Sequence, residues 1–198
     1  MNRTDICNMA LSIINRQRID SLDDTSEEAK ACKIYYEHTR ERLLRMFGWG
    51  FARRLEKLAL LDSTIPGWDY CYGYPQECLA VQLVFAEDRA EMREMERQDF
   101  EIITLTGNNR VIGTNVELAW AEFTCDVKNT EIFSSEFTEA LTRMLAASLA
   151  FPLTGNTDLM NMNMQLAQQS INIAMQENVI EREQLTKWPR KYERARFS

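Results

Sequence analysis

Apolar residues recur at helical spacing from the start of the chain. Ile6, Met9, Ala10, Ile13 and Ile14 share one stripe and Thr4 is available as N-cap, which predicts a short helix over about 4–15. The polar stretch Asp20-Ser21-Leu22-Asp23-Asp24 then reads as a turn. Thr25 followed three residues on by Glu28 is a capping-box pattern, opening a second helix over about 25–47 that Gly48 stops. On this helix Ala29, Cys32, Tyr36, Thr39, Leu43 and Met46 form an apolar row, while Glu37, Arg40, Glu41 and Arg45 mark the other face. The first two helices are expected to pair as an antiparallel hairpin.

Between Trp49 and Thr124 the helical period fades, and short β-prone runs appear at 58–61, 79–85, 100–105 and 116–123. Thr106-Gly107-Asn108-Asn109 is a turn that tolerates positive φ, so Phe100–Leu105 and Val111–Val116 are expected to pair as a hairpin. Tyr72-Gly73-Tyr74-Pro75 reads as a second turn. The interval from Glu87 to Glu101 carries seven acids against three arginines, with Met92 and Met95 near its centre, and is expected to leave the sheet as a solvated excursion.

Helical spacing then returns. Ser134 caps a third helix over about 135–151, with Phe137, Leu141, Met144, Leu145 and Ser148 on its stripe and an expected end at Phe151-Pro152. Ala146, Ala147 and Ala150 leave room for close helix packing. Thr157 can cap a fourth helix over about 157–186, which Pro189 prevents from continuing. Its apolar side is expected to be Leu159, Met162, Leu166, Ile173 and Ile180, with Ile171 and Ala174 beside them. Asn161, Asn163, Gln165, Gln168, Gln169, Asn172 and Gln176 flank that side, which is unusual for a solvated surface. The expected fold is mainly α with a small antiparallel β region (α+β) over about 50–124: a helical bundle with a long C-terminal helix and an extended tail. Residues 1–186 are expected to form one domain and 187–198 the tail.

Composition narrows the class. With 45% hydrophobic and 27% charged residues the chain has the balance of a folded protein. No run of about 18 apolar residues and no signal-peptide core are present, so residence in the cytoplasm and no membrane association are expected. Five cysteines without a C-x-x-C pair indicate neither a disulfide framework nor a zinc ribbon. The net charge of −7 is uneven: Lys187, Arg190, Lys191, Arg194 and Arg196 against Glu193 give the tail +4, leaving −11 on residues 1–186. An acidic body disfavours general nucleic-acid binding.

Candidate chemistry is sparse. His38 is the only histidine, without a second to build a metal site, and is read as an ordinary helix residue. Phosphate loops of the G-x-G-x-x-G or G-x-x-x-x-G-K-[ST] type are absent. Glu27 with Glu28, or Glu94 with Glu96, could supply paired carboxylates, but capping and solubility account for them. Met160, Met162 and Met164 alternate along a helix and cannot converge on one ion, so adaptable packing is their expected use. No catalytic, metal or cofactor residue is therefore expected. In the tail, Trp188, Tyr192 and Phe197 interleave with Arg190, Lys191, Arg194 and Arg196. Stacking on nucleic acid and an undocked tail are both open readings, but docking on a protein partner is preferred, because the attached acidic body would repel phosphates.

One larger pattern emerges from Ala10-Leu11, Ile19-Asp20-Ser21-Leu22-Asp23-Asp24, Ala29, Cys32, Tyr36, Arg40, Leu44 and Phe47-Gly48-Trp49-Gly50-Phe51-Ala52. It resumes at Tyr74-Pro75-Gln76-Glu77-Cys78-Leu79, Phe133 with Phe137, and Leu145-Ala146-Ala147 through Leu149-Ala150-Phe151-Pro152-Leu153-Thr154-Gly155. In this order and spacing the chain resembles the head-to-tail adaptor family of short-tailed bacteriophages, also called tail tubular protein A or gateway protein. The resemblance implies a structural, non-enzymatic virion protein, assembled in the host cytoplasm as a homo-oligomeric dodecameric ring. That ring would join the portal protein to the tail nozzle or needle and line the channel through which genomic DNA passes, without specific binding, in packaging and ejection. It also implies that the C-terminal segment reaches the portal, making Trp188, Arg190, Lys191, Tyr192, Arg194, Arg196 and Phe197 the portal-docking residues. A virion-associated peptidoglycan hydrolase and the head-completion connector of long-tailed phages are the alternatives. The acidic interval from Glu87 departs from the family pattern.

Overall fold

The computed structural model describes residues 1–86 and 98–183. They form two compact units: Met1–Phe51 with the chain from Val127 onward, and Ala52–Asp126 between them in sequence.

The first unit is helical, with α1 (Arg3–Ile13), α2 (Glu27–Met46), α3 (Ser135–Thr154) and α4 (Thr157–Glu183). Polar side chains start each helix, although three caps differ from expectation. Asn2, not Thr4, caps α1 in a reciprocal box with Asp5, through bonds of 2.8 and 2.7 Å. Ser26, not Thr25, caps α2, its Oγ accepting from the Ala29 amide at 3.2 Å. Ser134 Oγ accepts from Phe137 N at 3.1 Å, as its position before the apolar stripe predicts. Asn156 replaces Thr157 as the cap of α4, with Oδ1 3.0 Å from Leu159 N.

Helix α3 organises this unit because it is buried nearly all round: Phe137, Ala140, Leu141, Leu145, Ala146, Leu149 and Ala150 are fully enclosed. Helices α1, α2 and α4 each pack on it. Helices α1 and α2 also meet antiparallel, as the expected hairpin requires: Arg3 pairs with Glu37 at 3.0 Å and Cys7 hydrogen-bonds Cys32, although both helices pack chiefly on α3. Helix α3 does not stop at Phe151-Pro152. Pro152 removes one donor in the last turn, and the helix runs on to Thr154, where Gly155 at φ 66 closes it, its N–H donating to the Phe151 carbonyl at 2.8 Å. Helix α2 leaves through an extended Phe47 rather than a left-handed Gly48. There the indole Nε1 of Trp49 donates to the Leu43 carbonyl at 2.9 Å, satisfying one of the orphan acceptors.

The second unit holds two three-stranded antiparallel sheets. Strands β1 (Arg53–Lys57), β6 (Ala119–Cys125) and β3 (Cys78–Ala86) form one, in the order β1-β6-β3. Strands β2 (Tyr70–Gly73), β5 (Asn109–Thr114) and β4 (Phe100–Leu105) form the other, in the order β2-β5-β4. The β4–β5 hairpin turns through Gly107 and Asn108 at φ 91 and 63, and its register pairs Ile102 with Ile112. Ile65, Cys71 and Val111 form a small core of this sheet, with Trp68, Ile103 and Leu105 against it. Several strand limits move. The 58–61 run is no strand, though Leu60 bridges Tyr72 and the Leu58 amide donates to the Ala119 carbonyl at 2.9 Å, and Tyr72-Gly73 ends β2 instead of forming a turn. The last strand starts at Ala119, not at residue 116. Strand β1, exposed along its whole length, shows no alternation for the sequence to reveal.

The fold class is therefore corrected. The described chain is α+β, about 48% helix and 24% strand with six strands in two sheets, not a mainly α bundle with a small β region. Of the expected helix over 157–186, α4 is described as far as Glu183, and the expected extended tail lies outside the described residues.

Candidate functional site

The predicted docking residues Trp188, Arg190, Lys191, Tyr192, Arg194, Arg196 and Phe197 lie outside the described residues, as do Glu94 and Glu96. The other candidates are placed. His38 is exposed on α2, beside Glu41, Arg42, Arg45 and Met46 at a surface depression. Glu28 accepts from Arg16 at 2.9 Å, tying the α2 N-terminus to the preceding loop, while Glu27 is exposed. Met162 and Met164 are each 51% exposed and Met160 is half-buried, so the three do not converge. Among the described residues no group of three His, Cys, Asp or Glu side chains is placed to hold a metal ion.

What the structure does bring together is an aromatic cluster built from both chain segments of the first unit. Trp49 meets Phe47 edge-on at 5.4 Å and Phe137 at 5.0 Å between ring centroids. Phe51 packs on Phe137 at 4.9 Å, and Phe133 on Phe137 at 4.8 Å. Edge-to-face pairs at these distances contribute beyond area burial, roughly 0.5–1.5 kcal/mol each. The sequence stretch Phe47–Ala52 thus joins the distant pair Phe133, just before the N-cap of α3, and Phe137, in its first turn.

The same unit encloses a charge. Arg40, assigned above to the solvated face of α2, is 1% exposed, which corrects that assignment. Its Nη1 donates to the Val127 carbonyl at 2.8 Å and its Nε to Glu37 Oε2 at 2.9 Å. A buried guanidinium requires such partners, because desolvating it alone costs several kcal/mol. The signal was in the spacing, since Cys32, Tyr36, Arg40 and Leu44 follow one another at four-residue steps and are all buried. Met46, placed on the apolar row, is instead 39% exposed.

Cys7 of α1 and Cys32 of α2 meet in the same interior, both fully buried. A hydrogen bond with Cys32, then burial, holds the Cys7 thiol far above the ordinary range. Burial likewise pushes up the neighbouring Tyr36 hydroxyl. Cys7 and Tyr36 are thus packed as neutral core, while the hydrogen bond from Cys7 draws the Cys32 thiol down and its complete burial keeps it from solvent.

The surface of α4 also departs from expectation. Its buried row is Asn163, Ala167, Ile171, Ala174 and Asn178, facing α3. Met162 and Ile173, expected inside, are 51% and 56% exposed. Two alanines and two amides share this inner face with Ile171, and Asn163 donates back to the Leu159 carbonyl at 2.9 Å.

No known family model matches the chain, and comparison with curated proteins returns no match.

Proposed function

We propose that this chain is a structural virion subunit, a ring-forming adaptor that joins the portal to the tail nozzle or needle and lines the DNA exit channel. The observation that carries the reading is the aromatic cluster. Two stretches of the adaptor-like pattern, Phe47–Ala52 and Phe133 with Phe137, lie 80 residues apart, yet pack ring against ring. Ala10, Leu11, Ala29, Cys32, Tyr36, Arg40 and Leu44, from the same pattern, are buried in that unit, and Gly155 holds the left-handed cap of α3. The resemblance is thus one of scaffold, as suits a protein whose work is assembly. The acidic body keeps passing DNA from adhering to the channel, while the basic aromatic tail docks on the portal.

Electron microscopy of the purified chain mixed with the portal of the same phage tests this. The expected result is an added ring of density beneath the portal, lost on removal of residues 187–198. A chain that leaves the portal bare and clears purified peptidoglycan is the hydrolase instead.

A further inference from the structure

We infer that the outward face of α4 formed by Met162, Gln165, Gln169, Ile173 and Gln176 is a seam along which a second copy of this chain packs. These residues recur at steps of three and four, so they share one side of the helix, and all are exposed. They lie opposite the row from Asn163 to Asn178 that faces α3. The 18 residues from Leu159 to Gln176 contain no charge, whereas at the chain's 27% charged composition about five would be expected of a solvated surface.

Charge decides the occupant. The chain carries −7, so two copies repel wherever their acidic surfaces meet, and a neutral face is where they can approach. Nucleic acid or a basic partner would be drawn to a charged face, and this one offers none. Glutamine side chains both donate and accept, so a row of them can satisfy an identical row, and Met162 adapts to the space left between. The neutral run is about 27 Å long at 1.5 Å per residue, a narrow strip beside the roughly 800 Å² per partner of a standard interface. Pairwise association is therefore weak, and closure of many seams at once holds the assembly. The inference rests on the ring reading only in requiring that copies associate.

Sedimentation velocity of the full chain over a concentration series tests it, alone and with portal. Wild type should gain mass with concentration. Ile173→Glu and Gln169→Glu should weaken association at least about tenfold by facing carboxylates across the seam. Ile173→Met should retain it, and so should Ile34→Glu on α2, where the wild-type side chain is 69% exposed. Circular dichroism of each variant should match wild type, because the changed positions are exposed. If Ile173→Glu associates like wild type, the seam is refuted while the ring reading stands. If wild type stays monomeric both alone and on the portal, both are refuted.

Discussion

Arg40 donates from Nη1 to the carbonyl of Val127 at 2.8 Å, across 87 residues of sequence. The bond ties the first chain segment of the helical unit to the start of the second. Replacing Arg40 with Met keeps the stem's packing but strips the carbonyl of its charged donor, so stability should fall by about 2–3 kcal/mol. Arg40→Lys should recover little, since a single ammonium cannot span Glu37 and Val127 as the planar fork does. Urea unfolding of both variants measures this, and a loss under 0.5 kcal/mol would contradict the assigned role.

Gly113 lies under the indole of Trp68. A Cβ built there would stand 2.7 Å from Cδ1 and 2.8 Å from Cγ of that ring, and the same ring donates from Nε1 to Glu101 at 3.1 Å. Gly113→Ala should therefore displace Trp68 and cost roughly 1–3 kcal/mol. Tryptophan fluorescence unchanged in both wavelength and unfolding midpoint would show that the ring gives way freely.

The thiols should separate into two classes. Cys7, Cys32, Cys71 and Cys125 are buried and Cys78 is half-buried. The hydrogen bond with Cys32 and burial raise Cys7, and burial raises Cys71 and Cys125, so the thiolate fraction of these three at neutral pH falls below that of an ordinary cysteine. An aromatic disulfide reagent should titrate one thiol in the native protein, none in Cys78→Ser, and the remaining four only on unfolding. Rapid native modification of Cys7 would oppose this.

Trp49 serves as both an aromatic partner and a helix end. Trp49→Phe keeps a ring against Phe137 but removes the 2.9 Å bond to the Leu43 carbonyl, so a loss of about 1–2 kcal/mol is expected. Amide exchange should accelerate in the last turn of α2 while α1 is unaffected. Uniform acceleration through both helices would mean that the bond does not act locally.

Local signals in the sequence determined the existence of the four helices, the Ser134 cap and the β4–β5 turn at Gly107-Asn108. These depend on spacing and on side chains bonding to backbone a few residues away. What the tertiary structure alone decided is which faces are inside. Strand β1 carries Arg53, Arg54, Glu56 and Lys57, and it exists because the backbone of β6 pairs with it, an interaction that leaves no hydrophobic trace. Arg40 is buried because Val127 brings a carbonyl to it from the far segment. On α4 the apolar period pointed to Met162 and Ile173, yet the row packed towards α3 is Asn163, Ala167, Ile171, Ala174 and Asn178. Periodicity measures how one element could be amphipathic, whereas burial is set by the shape and hydrogen-bonding needs of the element it meets.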